Sequence, residues 1–208
     1  PLGVLRCVQE AGMGFCLAPR YHPAFRFAAP SRREIGIPTV FNLLGPMANP
    51  GRVRQHLIGV ANPEVASRML ASLRLHGSTR AWVVHGGGLD ELTTTGTSTV
   101  LALDNDSVRT FTVDPVELGL APAVPEELVG GEPAANAEAV RRVLAGDHGA
   151  HRNIVLLNAG AALTVAGKAA SIEEGLVLAA ESIDSGKAAG VLERLVAVSQ
   201  AAAAELGN

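Results

Sequence analysis

The chain alternates short apolar runs with longer amphipathic stretches, a pattern that predicts strands and helices packed in layers. Residues 56–60 predict one strand, and the continuous apolar run at 81–84 predicts a second strand that is buried on both faces. Between them, Asn62 and Pro63 form a helix-start signal, and Gly77 ends the helix. This strand–helix–strand unit favours an α/β fold.

The rest of the chain adds a hairpin and a helical region. Residues 93–103 and 108–113 predict two β-rich segments, and the polar residues 104–106 between them predict a turn. From residue 133 onward the spacing of apolar positions predicts helices over 134–145, 152–166, 172–185 and 187–204. Together these elements predict one α/β domain over residues 1–208, in which a central mixed, largely parallel sheet is flanked by helices.

In residues 1–50 the sequence pattern predicts shorter elements. They are a helix over 2–11, an apolar strand over 15–18, a helical turn from Pro23, a helix start at 31–34 and a turn at Gly45-Pro46. Further along, three consecutive glycines at 86–88 open a loop directly after the predicted strand at 81–84. Open α/β sheets bind their ligands at this carboxyl edge.

Composition and charge narrow the classes of function. Of the 208 residues, 48% are hydrophobic and 18% are charged, so a packed core is expected and general disorder is excluded. The net charge is −3, but residues 1–60 carry seven arginines against Glu10 and Glu34, a local balance of +5. A nucleic-acid-binding protein is expected to be positive as a whole. A local pocket for a small anion fits this distribution better, because the planar fork of arginine matches carboxylate and phosphate.

Cys7 and Cys16 are the two cysteines, too few for a disulfide or metal framework, so we expect a reducing compartment, the cytoplasm. No apolar run is long enough to span a membrane, and no signal peptide is visible. The chain begins at Pro1, and we expect it to be part of a longer protein.

Asp90 and Glu91 are candidate metal ligands, because they follow the three glycines at 86–88 on a predicted loop. Neighbouring carboxylates suit Mg²⁺, which prefers oxygen ligands and bridges to substrate phosphates. Such an ion neutralises a departing pyrophosphate. The alternative interpretation of this pair is an exposed acidic loop or an acidic helix start.

Arg32 and Arg33 are candidate anion ligands. They lie at a predicted helix start, where the helix dipole does not favour a cation. This placement indicates that they bind an anion. The alternative is a solvated charged turn in which Glu34 is their partner. His22 could donate a hydrogen bond to a substrate carboxylate or carbonyl, or it could be structural. The same two interpretations apply to His85.

Several segments carry a resemblance to a known family: APRYHPAFR, RREIGIPTVFNLLGPMANP, HLIGV, VVHGGGLDEL, EPAANAEAVRRVL, NIVLLNAGAALTVAGKA and SIEEGLVLAAESIDSGKA. In this order they resemble the C-terminal part of the anthranilate phosphoribosyltransferase family, over residues 10–198. The resemblance implies a large α/β domain joined to a small helical domain. It also implies transfer of the phosphoribosyl group of 5-phosphoribosyl 1-diphosphate to anthranilate, with Mg²⁺, in tryptophan biosynthesis.

The resemblance also implies roles for particular residues. Asp90 and Glu91 match the Mg²⁺ ligands of the family, and Arg32 matches the arginine that contacts the anthranilate carboxylate. Three other positions, His22, Gly45 and Pro46, match residues along the anthranilate route, and Phe25 falls where some members have tyrosine. No catalytic base is expected, because an aromatic amine is already neutral at pH 7. We expect Arg32 and the Asp90–Glu91 pair to open onto one cleft.

The chain departs from the family pattern at its N-terminal side. The helical N-terminal domain, a GTGGD-like loop and a KHGNR-like segment have no counterpart in it. The sheet is therefore expected to be incomplete at that side, and the chain is expected to be inactive alone. The complete enzyme is expected to form a homodimer. Two other functions stay open: a non-catalytic binding module, and a relative of pyrimidine nucleoside phosphorylases.

Overall fold

The computed structural model describes residues 1–37, 39 and 41–206, with the backbone alone for 41–43 and 206. The chain forms two compact units, one made of Pro1–Arg52 with Lys187–Asn208 and the other of Val53–Gly186. We call these the terminal unit and the sheet unit and describe each by itself. The expectation of one domain over residues 1–208 stays a prediction.

The sheet unit contains four strands: β1 (Gln55–Gly59), β2 (Arg80–His85), β3 (Ser98–Asp104) and β4 (Ser107–Val113). Their order in the sheet is β1-β2-β3-β4. β1 pairs with β2 in parallel, while the β2–β3 and β3–β4 pairs are antiparallel.

The described helices are α1 (Leu2–Ala11), α2 (Ala18–Tyr21), α3 (Ala29–Ile35), α4 (Phe41–Met47), α5 (Ala66–Leu75), α6 (Pro133–Leu144), α7 (Ala150–Val165), α8 (Ile172–Asp184) and α9 (Lys187–Leu206). Short 3₁₀ turns occur at Pro23–Phe27, Pro63–Val65 and Pro125–Leu128. None of these helices combines the length and apolar character that a membrane crossing requires.

The predicted α/β class with a mixed sheet is confirmed, but the described strands are not largely parallel. A parallel pair needs a long crossover, usually helical, and only the β1–β2 connection contains a helix, α5. β3 and β4 are joined by the two residues Asn105 and Asp106, and Asn105 has the positive φ of 52° that such a tight hairpin requires.

The helix-start signal at Asn62 is confirmed. Its side chain accepts a hydrogen bond from the backbone N–H of Glu64, at 2.9 Å, and Pro63 begins the 3₁₀ turn that leads into α5. The helix ends before Gly77, which has a φ of 86°. These local signals act within a few residues, which is why the sequence pattern identifies them.

Two expectations for residues 1–50 are wrong, and a third is correct except for where the helix begins. The predicted strand at 15–18 is not a strand, because Ala18 begins α2 and Phe15 is 70% exposed, with no described strand beside it. The predicted turn at Gly45-Pro46 is part of α4, which is followed by a hydrogen bond from Ala48 N–H to the Leu44 carbonyl. The helix predicted to start at 31–34 is present, but its start is placed two residues too late, because α3 begins at Ala29 and Arg32 and Arg33 lie in its last turn.

The core of the sheet unit lies between the sheet and α7. Its members are buried apolar side chains from three strands, the loop after β2, α7 and the start of α8: Trp82, Val84, Leu92, Val100, Ala102, Val113, Leu157, Ala161, Val165 and Ile172. α5 contacts β2 and β3 as well. The sheet is therefore packed by helices, and Leu157 of α7 shares one core with Trp82 and Val84 of β2.

Candidate functional site

The predicted carboxylates lie on a loop that leaves the carboxyl end of β2, which we call the carboxylate loop (residues 86–93). Gly86 and Leu89 exchange backbone hydrogen bonds of 3.2 and 3.0 Å. The two residues between them, Gly87 and Gly88, have φ values of 58° and 97°. Glycine adopts such values at little cost, so the three glycines form a tight reversal. Asp90 follows this reversal directly.

Two of the glycines bring the backbone of the carboxylate loop against the sheet. A Cβ at Gly59, the last residue of β1, would collide with the backbone carbonyl of Asp90. A Cβ at Gly86 would lie 2.5 Å from the backbone oxygen of Glu91 and 2.9 Å from Thr93 N. The acidic pair is therefore held at the carboxyl ends of the parallel strands β1 and β2, where open α/β sheets bind ligands.

Hydrogen bonds fix the second half of the carboxylate loop. Asn158 of α7 accepts a bond from Leu92 N–H at 3.0 Å and donates one to the Leu92 carbonyl at 2.8 Å. The backbone N–H of Thr93 donates to the hydroxyl of Ser98 at 2.9 Å. The side chain of Leu92 is fully buried in the core. Glu91 is thus joined to a residue that has little freedom to move.

The acidic pair carries uncompensated negative charge. Among the described residues, neither Asp90 nor Glu91 forms an ion pair with a basic side chain. Partial burial raises the pKa of Glu91 above its ordinary value, and the neighbouring charge of Asp90 raises it further. Both causes disfavour the ionised form, and a bound cation would offset both.

The donor set fits Mg²⁺. Within the described residues no group of three or more His, Cys, Asp or Glu side chains is gathered as a complete metal site. Mg²⁺ does not need such a group, because it commonly uses one or two protein carboxylates together with waters and substrate phosphates. Asp90 and Glu91 remain exposed although Glu91 is partly desolvated, so substrate and water can reach both.

His85 has a structural role in this region. Its Nδ1 lies 2.9 Å from the carbonyl oxygen of Val60, so this nitrogen donates a hydrogen bond there. The bond joins the end of β2 to the residue that follows β1. Of the two interpretations left open for His85, this contact supports the structural one.

In the terminal unit, His22 lies near the end of α4. Its Nε2 lies 2.7 Å from the carbonyl oxygen of Ala48 and donates to it. The imidazole stacks on the ring of Phe25, with centroids 5.1 Å apart. The structure therefore brings His22 and Phe25 together and connects them to the helix that contains Gly45 and Pro46.

Arg32 and Arg33 lie in the last turn of α3. Cations are favoured at that end of a helix, so the expectation that the helix dipole opposes them is wrong. The two side chains differ in burial, since Arg32 is half-buried and Arg33 is exposed. Arg32 belongs to the terminal unit and the acidic pair to the sheet unit, so the shared cleft expected from the sequence stays a prediction.

Sequence reasoning missed Gly59 and Asn158 as residues that shape the site. Asn158 is 66 positions from Leu92, so no local pattern could indicate the contact. Gly59 lies inside a predicted strand, and an isolated glycine in a strand is a known sign of close backbone approach. That signal was present in the sequence.

Comparison with known proteins agrees with this α/β architecture. The model of a glycosyl transferase family, described as its a/b domain, matches residues 2–189. The chain belongs to this glycosyl transferase family. The resemblance proposed from the sequence is confirmed as well: anthranilate phosphoribosyltransferase of Brucella suis biovar 1 (strain 1330) is 51% identical over 194 residues, which cover 93% of this chain and 57% of the relative.

Solved structures give the same result. Anthranilate phosphoribosyltransferase from Thermus thermophilus matches with a TM-score of 0.89 and 41% identity, over 95% of this chain and 59% of that one. The Saccharomyces cerevisiae enzyme in complex with PRPP and Mg matches with a TM-score of 0.84 and 30% identity. The match covers 91% of this chain and 55% of that one. The chain thus spans a little over half the length of the relatives that it matches.

Proposed function

We propose that the protein to which this chain belongs transfers the phosphoribosyl group of 5-phosphoribosyl 1-diphosphate to the amino group of anthranilate, in tryptophan biosynthesis. The observation that carries the proposal is the position of Asp90 and Glu91 at the carboxyl edge of the sheet, without a described cationic partner. Relatives with this activity match nearly the whole chain, and one solved relative holds PRPP and Mg.

Asp90 and Glu91 would hold Mg²⁺ in this function. The ion, when bound, neutralises charge that develops on the departing diphosphate. The chain's own contribution is to hold two carboxylates beside each other and exposed to substrate, where a bound cation would favour their ionised forms. The backbone contacts at Gly59 and Gly86 set their position before substrate arrives, so little ordering is left for the reaction itself.

The residues that bind anthranilate are assigned to the terminal unit. Arg32 would bind the carboxylate of anthranilate, because its guanidinium can donate two parallel hydrogen bonds. His22, Phe25, Gly45 and Pro46 would line the route of the aromatic ring. No residue is assigned as a catalytic base, since the amine of anthranilate is neutral and nucleophilic at pH 7.

The proposal is tested with the complete protein that contains this chain. Loss of anthranilate fluorescence is followed with 5-phosphoribosyl 1-diphosphate, with and without Mg²⁺, and pyrophosphate release is measured in parallel. We expect equal rates of both, and only with Mg²⁺. Phosphorolysis of thymidine or uridine in place of this reaction would identify a pyrimidine nucleoside phosphorylase. Binding of both substrates without turnover would identify a binding module.

Two further proposals concern context. We assign the protein to the cytoplasm, and the unpaired thiols of Cys7 and Cys16 support a reducing compartment. We also assign the complete enzyme to a homodimer, which sedimentation of that enzyme would test. The chain of residues 1–208 by itself is assigned no turnover.

A further inference from the structure

We propose that Asn158 is a positioning residue for the metal site, acting through the backbone of the carboxylate loop. The inference rests on the proposed function of Asp90 and Glu91 as Mg²⁺ ligands. Asn158 itself contacts neither carboxylate in the described structure. Its role is to set the direction in which the chain leaves Glu91.

The contact is a two-point clamp on a single residue. The amide oxygen of Asn158 accepts from Leu92 N–H at 3.0 Å, and its amide nitrogen donates to the Leu92 carbonyl at 2.8 Å. The same nitrogen donates to the carbonyl of Ile154 at 3.0 Å, one helical turn earlier. Asn158 therefore uses three of its four hydrogen-bonding positions, and its orientation is determined on both sides.

The clamp acts where the carboxylate loop enters the core. The side chain of Leu92 is fully buried, so its backbone groups cannot exchange their partners for bulk water without opening the core. On the other side of Glu91, the backbone of Asp90 touches Gly59. The acidic pair is thus fixed at two points, one on β1 and one on α7.

Removing the clamp should loosen the acidic pair. Residues that orient metal ligands without touching the ion affect metal affinity by about 10- to 100-fold. A bond to backbone rather than to the ligating carboxylate suggests the lower end of that range. We therefore expect Asn158→Ala to weaken metal binding by about tenfold while the protein stays folded.

The test uses the complete protein and two measurements besides activity. Mn²⁺, which takes the same oxygen ligands, is titrated into the protein alone, and bound ion is counted by electron paramagnetic resonance. Hydrogen exchange of the Leu92 amide is measured in the same samples. The matched control is Thr164→Val on α7, because the Thr164 hydroxyl donates to the Gly160 and Ser171 carbonyls and not to the carboxylate loop.

We expect Asn158→Ala to raise the Mn²⁺ dissociation constant and to speed exchange at Leu92, and we expect Thr164→Val to do neither. An unchanged dissociation constant in folded Asn158→Ala would overturn the inference, whatever happens to exchange. If that variant does not fold, Asn158→Ser is measured in its place, with the same expected direction. The Asp90→Asn/Glu91→Gln variant separates the two ideas: Mn²⁺ binding equal to wild type there would refute the proposed function instead.

Discussion

At the scale of single residues, the carboxylate loop places like charges side by side without a described counter-ion. This arrangement is unfavourable for the protein alone, since the pKa of Glu91 is raised by partial burial and by Asp90. An acid whose pKa is raised on folding lowers stability as the pH rises through its unfolded pKa, and the loss is complete above its folded pKa. The pair is thus better suited to binding a cation than to supporting the fold.

Replacing both carboxylates in the complete protein is expected to abolish Mg²⁺-dependent turnover. Asp90→Asn with Glu91→Gln keeps the shape of the side chains but removes the charge that binds the ion. In Mg²⁺-free buffer at pH 7 the thermal midpoint should stay equal or rise, and any rise should vanish near pH 4, where wild-type Glu91 is also protonated. Rates against Mg²⁺ concentration and melting curves check both statements. A double variant with normal metal dependence would contradict the assignment.

Arg32→Ala in the complete protein is expected to weaken anthranilate binding more than the binding of 5-phosphoribosyl 1-diphosphate. A charge-assisted hydrogen bond contributes about 1.5–3 kcal/mol, so the KM for anthranilate should rise roughly 10- to 100-fold. Arg33→Ala is the matched control, because Arg33 lies in the same helical turn but is exposed. Steady-state kinetics with each substrate varied in turn gives both constants. Equal changes in the two would refute the role of Arg32.

His56 in β1 is expected to make the fold less stable in mild acid. Burial lowers its pKa below the ordinary 6.5, and a hydrogen bond with the backbone of Val53 opposes this more weakly. The unfolded chain therefore takes up the proton at a higher pH, so stability is lost as the pH falls through 6.5. Urea unfolding at pH 7.5 and pH 5.5 should show a larger loss for wild type than for His56→Gln. Equal losses of stability in the two proteins would mean that groups other than His56 determine the acid sensitivity.

At the scale of elements, burial decides which parts of the fold the sequence predicts. The helices α6 to α9 each lie within two residues of the predicted bounds. In α7 and α8 the apolar spacing corresponds to a face that buries several residues. By contrast, α2 and α3 bury no residue, so the apolar side chains around them follow no packing pattern. The apolar run that includes Phe15 therefore resembles a strand in the sequence although it forms none.

In the candidate site, too, the sequence predicts only features that are set by residues close together in the chain. Asp90 and Glu91 could be placed on a loop at the sheet edge because the strand and the glycines stand next to them in the chain. The residues that fix the loop, Gly59 and Asn158, are distant in sequence, and only the packing of β1 and α7 brings them there.

The crossing of α7 and α8 depends on two glycines. Gly160 and Gly175 allow the helix backbones to touch, and a Cβ at Gly175 would collide with the Gly160 carbonyl. Gly175→Ala should force the helices apart and lower the free energy of unfolding by about 3 kcal/mol. Gly96→Ala is the control, since its Cβ would meet open space, and we expect a change within about 0.5 kcal/mol. Denaturant titration measures the free energy of unfolding of both variants. Equal changes in the two would contradict the close contact of α7 and α8 at these glycines.

At the scale of the whole molecule, the two units differ in what stabilises them. The core cluster around Trp82 and Leu157 lies entirely within the sheet unit. In the terminal unit, α1 packs on α9, and Arg6 bridges Glu10 and Glu205 at 2.7 and 2.9 Å. Exposed ion pairs of this kind contribute little, so the sheet unit should be the more independent of the two.

We therefore expect a chain of residues 53–186 to fold without the rest. Trp82 is the single tryptophan and is only 7% exposed, so its emission reports directly on this core. The shortened chain should show the blue-shifted emission of the full chain and should unfold cooperatively in urea, since the buried contacts of Trp82 are all retained. A red-shifted emission without added denaturant would mean that residues outside 53–186 are needed to close the core. Leu157→Ala in the shortened chain is the control. The cavity that it leaves in a formed core costs about 2–5 kcal/mol of stability. The substitution should therefore lower the urea midpoint only if the same core has formed.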